Sequence, residues 1–268
     1  DNNVNGTQVW QRLTSAYLPL AMRNSTGPRE VFKLGILGPF SGPDAMPGDD
    51  FAGAVTMAFD AVDWRIGRYD IKPVWIDSEC DSQKGSQRYE EAIVQQGVEA
   101  GLLNWCSNVA EACMEVVADH QVPHFAGLGS SSAINRTFNR DRDRYGYWTT
   151  KWWPVPEKLS FFYVQMLEQA INGGFWSPDN KTVAIVSENT GWGHAFADTI
   201  SGHFQDAGWS VVVEKHFLPD QTDFSSILVV LETADPAVVA STTFSSQSAY
   251  AFINQAEAAD LESVIIAD

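Results

Sequence analysis

The stretch KLGILGPFSGPDAMPGDDFAGAVTMAFDAV, residues 33–62, decides the fold. Its first six residues form a short apolar run, the pattern of a strand covered on both faces. A loop rich in glycine and proline follows. Then Phe51, Ala54, Val55, Ala58, Phe59 and Val62 recur at i, i+3, i+4 and i+7 spacing, which marks one face of a helix. Strand, loop and helix make one unit, and the rest of the chain repeats it.

IKPVWI (71–76) is strand-like and is followed by a helix over 84–96. VEAGLLNW (98–105) precedes a helix over 109–119, and VPHFAG (122–127) is the next strand. After a long polar connection a helix over 157–172 leads into KTVAIVS (181–187), then a helix over 193–207 closed by Gly208. WSVVVEK (209–215), a helix over 224–233, AVVAST (237–242), a helix over 247–258 and SVIIA (263–267) complete the series. Short apolar strands alternating with amphipathic helices predict an α/β protein of βαβ units, with parallel sheets covered by helices on both faces. YWTTKWWPVP (147–156) interrupts the rhythm and predicts a crossover between two lobes, 31–150 and 151–268. Residues 1–30 form a polar N-terminal extension in which Val9, Trp10, Leu13, Tyr17 and Leu20 recur at roughly helical spacing.

At 268 residues, 44% apolar and 19% charged, the chain has the composition of a soluble globular protein. Its formal net charge of −17 argues against nucleic acid or an anionic membrane as partner, since both draw on basic patches. The densest basic stretch, NRDRDR (139–144), is interleaved with aspartates and is expected to be a solvated loop. No apolar run approaches the roughly 18 residues that a membrane helix needs. DNNVNGTQVW (1–10) lacks the basic start and apolar run of a signal peptide, so an exported form of the chain would be one whose leader has been removed.

No enzyme signature is present. Gly35, Gly38 and Gly42 do not make a dinucleotide fingerprint, no phosphate-loop lysine follows them, and there is no nucleophile elbow. His120 and His124 are separated by Pro123 at a strand start, so they cannot share a helix face as zinc ligands. His194, His203 and His216 read as isolated, and no metal or cofactor is expected. The strand-end loops are different in texture. PFSGP (39–43), WCSN (105–108), GLGSSS (127–132), ENTGWG (188–193) and TTFSSQ (242–247) are rich in small polar residues, most of them beside an aromatic. Ligands of open α/β sheets collect at the carboxyl ends of the strands. Hydroxyls and free amides there suit a carboxylate, and aromatics supply apolar walls.

Taken in order, the segments KLGILGPFSGP, WIDSECDSQKG, LLNWCSN, VPHFAGLGSSS, TVAIVSENTGWGHAFAD and LPDQTDFSSILVVLETADPAVV resemble those of a known family. It is the type I periplasmic substrate-binding proteins of ABC transporters, in the branched-chain amino acid (Leu/Ile/Val-binding) class. The resemblance runs from about residue 31 to 268. It implies two α/β lobes with a ligand cleft between them, closing on an amino acid or related small carboxylate. It further implies a periplasmic or extracellular location, recognition by ABC permease subunits, and no bond-breaking chemistry. Position by position, it implies that Ser107, Leu128 and Ser130 hold a ligand carboxylate from the first lobe. Trp192 and Phe244 would meet the ligand from the second lobe, and Asp268 would pair with an ammonium group.

The resemblance departs at Pro47, where relatives often carry an aromatic wall, and at Cys-Ser-Asn (106–108) in place of Cys-Ser-Ser. The family continues for roughly another hundred residues. A ligand-sensing domain of a receptor on the same fold is the alternative reading, and sequons at Asn5, Asn24, Asn135 and Asn180 would suit a receptor ectodomain.

By spacing alone, the cysteines of GLLNWCSNVAEACM (101–114) could serve a metal, a catalytic thiol or a loop brace. The resemblance implies that Cys106 pairs with Cys80. Cys113 shares a helical face with Val109, Ala112, Val116 and Val117 and is expected to be buried. Asn108, three residues before Glu111, is expected to cap that helix.

Overall fold

The computed structural model describes residues 28–42, 44–125, 127–149, 153–242 and 245–267. The helix expected near the N-terminus, Phe244 and Asp268 lie outside these residues. The chain runs β1 (Glu30–Gly38), α1 (Ala45–Asp60), β2 (Arg65–Ile66), β3 (Tyr69–Asp77), α2 (Ser82–Val94), β4 (Ala100–Leu102) and α3 (Ser107–His120). It continues with β5 (His124–Phe125), α4 (Ser132–Arg140), β6 (Trp148–Thr149), α5 (Pro156–Asn172), β7 (Thr182–Glu188) and α6 (Gly191–Asp206). The last elements are β8 (Ser210–Phe217), α7 (Ser225–Ala234), β9 (Val238–Thr242), α8 (Ser246–Ala258) and β10 (Val264–Ala267).

Two sheets form, a six-stranded one ordered β2-β3-β1-β4-β5-β6 and a four-stranded one ordered β10-β9-β7-β8. All pairings are parallel except the β2–β3 hairpin, so the first sheet is mixed where the sequence predicted parallel strands only. The burial of each strand follows its place in the sheet. Central β7 and β9 are buried almost throughout, whereas edge strand β8 buries only Val213 and Phe217. A parallel sheet with helices on both faces leaves a central strand no solvent side, and only the edge can afford charge. Two packed clusters flank the second sheet, one around Phe196, Ile200 and Phe204 and one around Phe224, Leu228 and Phe252.

Three expectations change. The polar connection after residue 127 contains α4, whose nine residues bury only Ser132 and Ile134, too few apolar positions to show a period. Part of the aromatic stretch read as a crossover, Trp148–Thr149, instead joins the first sheet as β6. Asn108 does not cap α3: the N-cap residue is Cys106, and the Asn108 amide donates to the Cys80 carbonyl at 2.9 Å. Gly208 follows α6 with φ +82°, the left-handed geometry expected of a glycine closing a helix.

Cys80 and Cys106 are joined by a disulfide with a Cα–Cα separation of 5.6 Å, and Cys113 is a buried free thiol. Burial pushes that thiol's pKa well above its ordinary value, so it is inert packing on the core face of α3.

Candidate functional site

The loops that matter follow β1, β4 and β5 in the first sheet and β7, β8 and β9 in the second. Asp77, at the end of β3, organises the first of them. Its carboxylate accepts the amides of Phe40 at 2.8 Å, Ser41 at 3.2 Å and Glu79 at 3.1 Å, and the Ser41 hydroxyl as well. Burial works to raise its pKa, but the Ser41 hydroxyl and these amides outweigh it and hold the carboxyl below its ordinary range.

Ser107 opens α3 and is 4% exposed. Its Oγ accepts the amides of Ser130 and Ser131, each at 3.2 Å, so one hydroxyl ties the β4–α3 loop to the β5–α4 loop. The Leu128 amide donates to the Asn104 carbonyl at 2.8 Å, a second tie between the same loops. The N-cap residues of α3 and α4, Cys106 and Ser131, make no side-chain cap hydrogen bond. Cys106 is committed to the disulfide, and the Ser131 hydroxyl donates to Glu111 instead. Two helix N-termini without side-chain caps therefore meet beside Ser107 and Ser130, an arrangement that favours an anion.

The second sheet has a counterpart. Trp192, in the first turn of α6, is 4% exposed, and its indole N–H donates to Thr242 Oγ1 at 3.1 Å. That bond ties the loop after β7 to the end of β9, as Ser107 ties the two loops of the first sheet. Gly193 is required beside it, because a Cβ there would lie 2.0 Å from the Glu188 carbonyl oxygen. Phe244 and Asp268 fall outside the described residues.

The lobes meet at several points. Helices α3 and α6 touch, the Ser246 hydroxyl lies 3.6 Å from Met46 Sδ, and the Ser132 hydroxyl donates to the Glu157 carboxylate at the start of α5. Asp44 from the first lobe is buried, and its Oδ1 has no hydrogen-bond partner. Burial pushes the Asp44 carboxyl pKa up, and the charge of Asp220 on the opposite lobe adds to the shift. Pro47, the departure noted above, is buried in the first turn of α1.

The sequence did not single out Asn104, which is 1% exposed with neither side-chain amide atom hydrogen-bonded. Gly129 makes room for it, since a Cβ there would lie 2.2 Å from Asn104 Oδ1. No periodicity marks such a residue, because its burial comes from the opposing loop. His194 and His216 also differ from expectation: they are neighbours, with ring centroids 4.2 Å apart. Among the described residues no three His, Cys, Asp or Glu side chains form a group that could hold a metal. An open groove between α5 and α6, lined by Glu157, Phe161, Asp198 and His203 among others, lies on helix flanks and not at the strand ends.

Two α/β units meeting through their strand-end loops make a two-lobed α/β fold. The family model described as periplasmic binding protein matches residues 31–267, and the chain belongs to that family. A Leu/Ile/Val-binding protein homologue of Brucella abortus is 26% identical over 227 residues, covering 84% of this chain and 55% of the relative. A leucine-, isoleucine-, valine-, threonine- and alanine-binding protein of Pseudomonas aeruginosa is 21% identical over 235 residues, covering 85% and 58%. The chain thus spans a little over half the length of these relatives. In fold it is similar to an ABC-transporter solute-binding protein of R. palustris in complex with 4-hydroxybenzoate, with a TM-score of 0.73 and 17% identity over 89% of this chain and 61% of that one. A second R. palustris solute-binding protein, in complex with benzoate, gives a TM-score of 0.73 and 18% identity over 89% and 62%. No helix among the described residues is long and apolar enough to cross a membrane.

Proposed function

We propose that the chain is the ligand-binding part of an extracytoplasmic solute-binding protein of an ABC importer, and that its ligand is an amino acid or another small carboxylate. The observation that carries this reading is the convergence of two α-helix N-termini without side-chain caps on the Ser107–Ser130 contact. A carboxylate entering there would meet the amide dipoles and the Ser107 hydroxyl already held in place, while the Ser130 hydroxyl, which donates to the Pro154 carbonyl at 3.3 Å, would have to turn toward it. Ser107, Leu128 and Ser130 would supply the first lobe's contacts and Trp192 the second lobe's, with Phe244 and Asp268 as further contacts. The ligand would favour a closed arrangement of the lobes by bridging them, and permease subunits would recognise that form. Relatives named for branched-chain amino acids and neighbours holding benzoates agree in one feature, a small carboxylate.

A thermal-shift screen of aliphatic amino acids, benzoate and hydroxybenzoates tests this. A ligand present at 100 times its dissociation constant adds about 2.7 kcal/mol of stability. If none of these carboxylates raises the melting temperature, the reading fails. With a ligand in hand, Ser107→Ala is expected to weaken binding by about 1–3 kcal/mol, roughly 5- to 150-fold in Kd, because a donor to a charged group is lost and the two loops come untied. An unchanged Kd by calorimetry would remove Ser107 from the site.

A further inference from the structure

Asp44 is the N-cap residue of α1, a position where an aspartate ordinarily accepts an amide of its own helix, and here its side chain makes no such bond. The residue is 8% exposed, and its Oδ1 has no hydrogen-bond partner. It stands at the junction of the lobes. Two residues on, Met46 Sδ meets the Ser246 hydroxyl of the second lobe at 3.6 Å, and the charge that acts on Asp44 from that lobe is Asp220. Burial first, and then the Asp220 charge, raise the Asp44 carboxyl pKa, and no described cation counters them. A buried carboxylate in this state costs the fold energy, and a cation arriving from outside the chain recovers it. Strands β1, β4 and β5 lie side by side, so the loop ending in Asp44 is one strand from the loop of Ser107 and two from that of Ser130. At about 4.8 Å per strand, a carboxylate at the Ser107–Ser130 contact lies on the order of 5–10 Å from Asp44. An apolar contact joins the same elements, Phe51 of α1 on Trp105 of the β4–α3 loop, with ring centroids 6.1 Å apart.

We propose that Asp44, with Asp220 from the opposite lobe, receives an ammonium or guanidinium group at the far end of the ligand, so that the ligand is a carboxylate carrying a distal cation. This rests on the binding-protein reading above and names the ligand class within it. An α-ammonium lies about 2.5 Å from its own carboxylate carbon and falls short of Asp44. Four methylenes, as in 5-aminovalerate, place the nitrogen about 6 Å away, within the span, and give Phe51 and Trp105 an apolar spacer to meet. Two carboxylates make no shell for a metal ion among the described residues. An ammonium needs only acceptors and brings three donors to them. Because Asp44 and Asp220 belong to different lobes, a cation held by both would also favour the closed arrangement.

Calorimetry with 5-aminovalerate, pentanoate and glutarate tests this, because the three share a five-carbon chain and end in a cation, a methyl group and an anion. It is run at physiological ionic strength, where the diffuse attraction of a chain of net charge −17 for any cation is screened. 5-Aminovalerate should bind roughly tenfold or more tighter than pentanoate, and glutarate more weakly than either. Asp44→Asn keeps the shape of the side chain and removes its charge, so it should bring 5-aminovalerate and pentanoate within about threefold of each other. It should also raise the ligand-free melting temperature, because an unpaired buried charge is gone. Equal affinities for 5-aminovalerate and pentanoate in the parent, a preference that survives Asp44→Asn, or a lowered ligand-free melting temperature in that variant would overturn the proposal and leave the binding-protein reading in place. Uptake of leucine or benzoate but of none of the three would do the same. Silence from all five carboxylates would end both.

Discussion

His124→Leu is expected to destabilise the protein by about 3–5 kcal/mol, because it strips partners from two groups buried with no access to water. His124 and Tyr89 are both 0% exposed. The Tyr89 hydroxyl meets His124 Nδ1 at 2.8 Å, His124 Nε2 meets the Leu103 carbonyl at 2.7 Å, and the ring stacks on Trp148 with centroids 4.4 Å apart. The assignment that satisfies both contacts is an Nε2–H donating to Leu103 and an Nδ1 accepting from Tyr89. Gly101 packs against this pair, and a Cβ there would lie 1.8 Å from the Tyr89 oxygen. Leu103 has φ +66°, a left-handed geometry that costs a leucine energy, so the bond to its carbonyl holds a strained corner in the loop leading to Ser107. In a double-mutant cycle, Tyr89→Phe combined with His124→Leu should cost less than the sum of the two singles, since one unpaired hydroxyl is then removed.

The same network makes stability depend on pH. Burial pushes the His124 pKa down from 6.5 to about 4, with the Leu103 carbonyl partly opposing. Between those values the unfolded chain takes up a proton that the folded chain refuses. The contribution is therefore complete above pH 6.5 and is lost as pH falls toward about 4. By linkage this amounts to roughly 3 kcal/mol. Urea denaturation at pH 7 and pH 5 should show the parent losing stability over that interval, with His124→Leu losing clearly less. Parallel pH profiles for the two proteins would show that His124 is not the titrating group.

Removing the Cys80–Cys106 bridge is the second large effect. It closes a sequence separation of 26 residues, so the chain-entropy model predicts a loss of about 3–4 kcal/mol for Cys80→Ser/Cys106→Ser. A binding defect should accompany it. Cys106 is the N-cap residue of α3, immediately before Ser107, and Cys80 sits at φ +54° with its carbonyl held by Asn108. Without the bridge the start of α3 loses its covalent anchor to the end of β3, and Ser107 its fixed position. Thiol counting on denatured, unreduced protein should find one group, Cys113, and three after reduction. Three before reduction would refute the bridge in solution, and an unchanged melting temperature in the double variant would show that it carries no stability.

Much of this molecule is legible from its residues. KTVAIVS and AVVAST are short segments rich in small and β-branched residues, the composition of a strand buried on both faces, and β7 and β9 are such strands. Of the helical face read after residue 50, Phe51 and Val55 are buried and Phe59 is half-buried, whereas Ala54, Ala58 and Val62 are exposed, and α1 begins at Ala45, inside the stretch read as a loop. Where burial is sparse the signal disappears, as in α4. Short strands suffer likewise: β5 and β6 have two residues each and no room for a pattern.

For the site, local sequence fixed the chemistry of the strand ends, and the ordered motifs pointed to Ser107, Ser130 and Trp192. What each of these touches was decided by packing. The Asn104 amide lies under Gly129 from another loop, and Asp44 faces Asp220 from another lobe. His194 meets His216 across 22 residues of chain. Periodicity reports how a residue sits within its own element, because backbone geometry is local. The partners of a side chain at a strand end are set by which strands lie side by side, and that order, β10-β9-β7-β8 here, exists only once the sheet has formed.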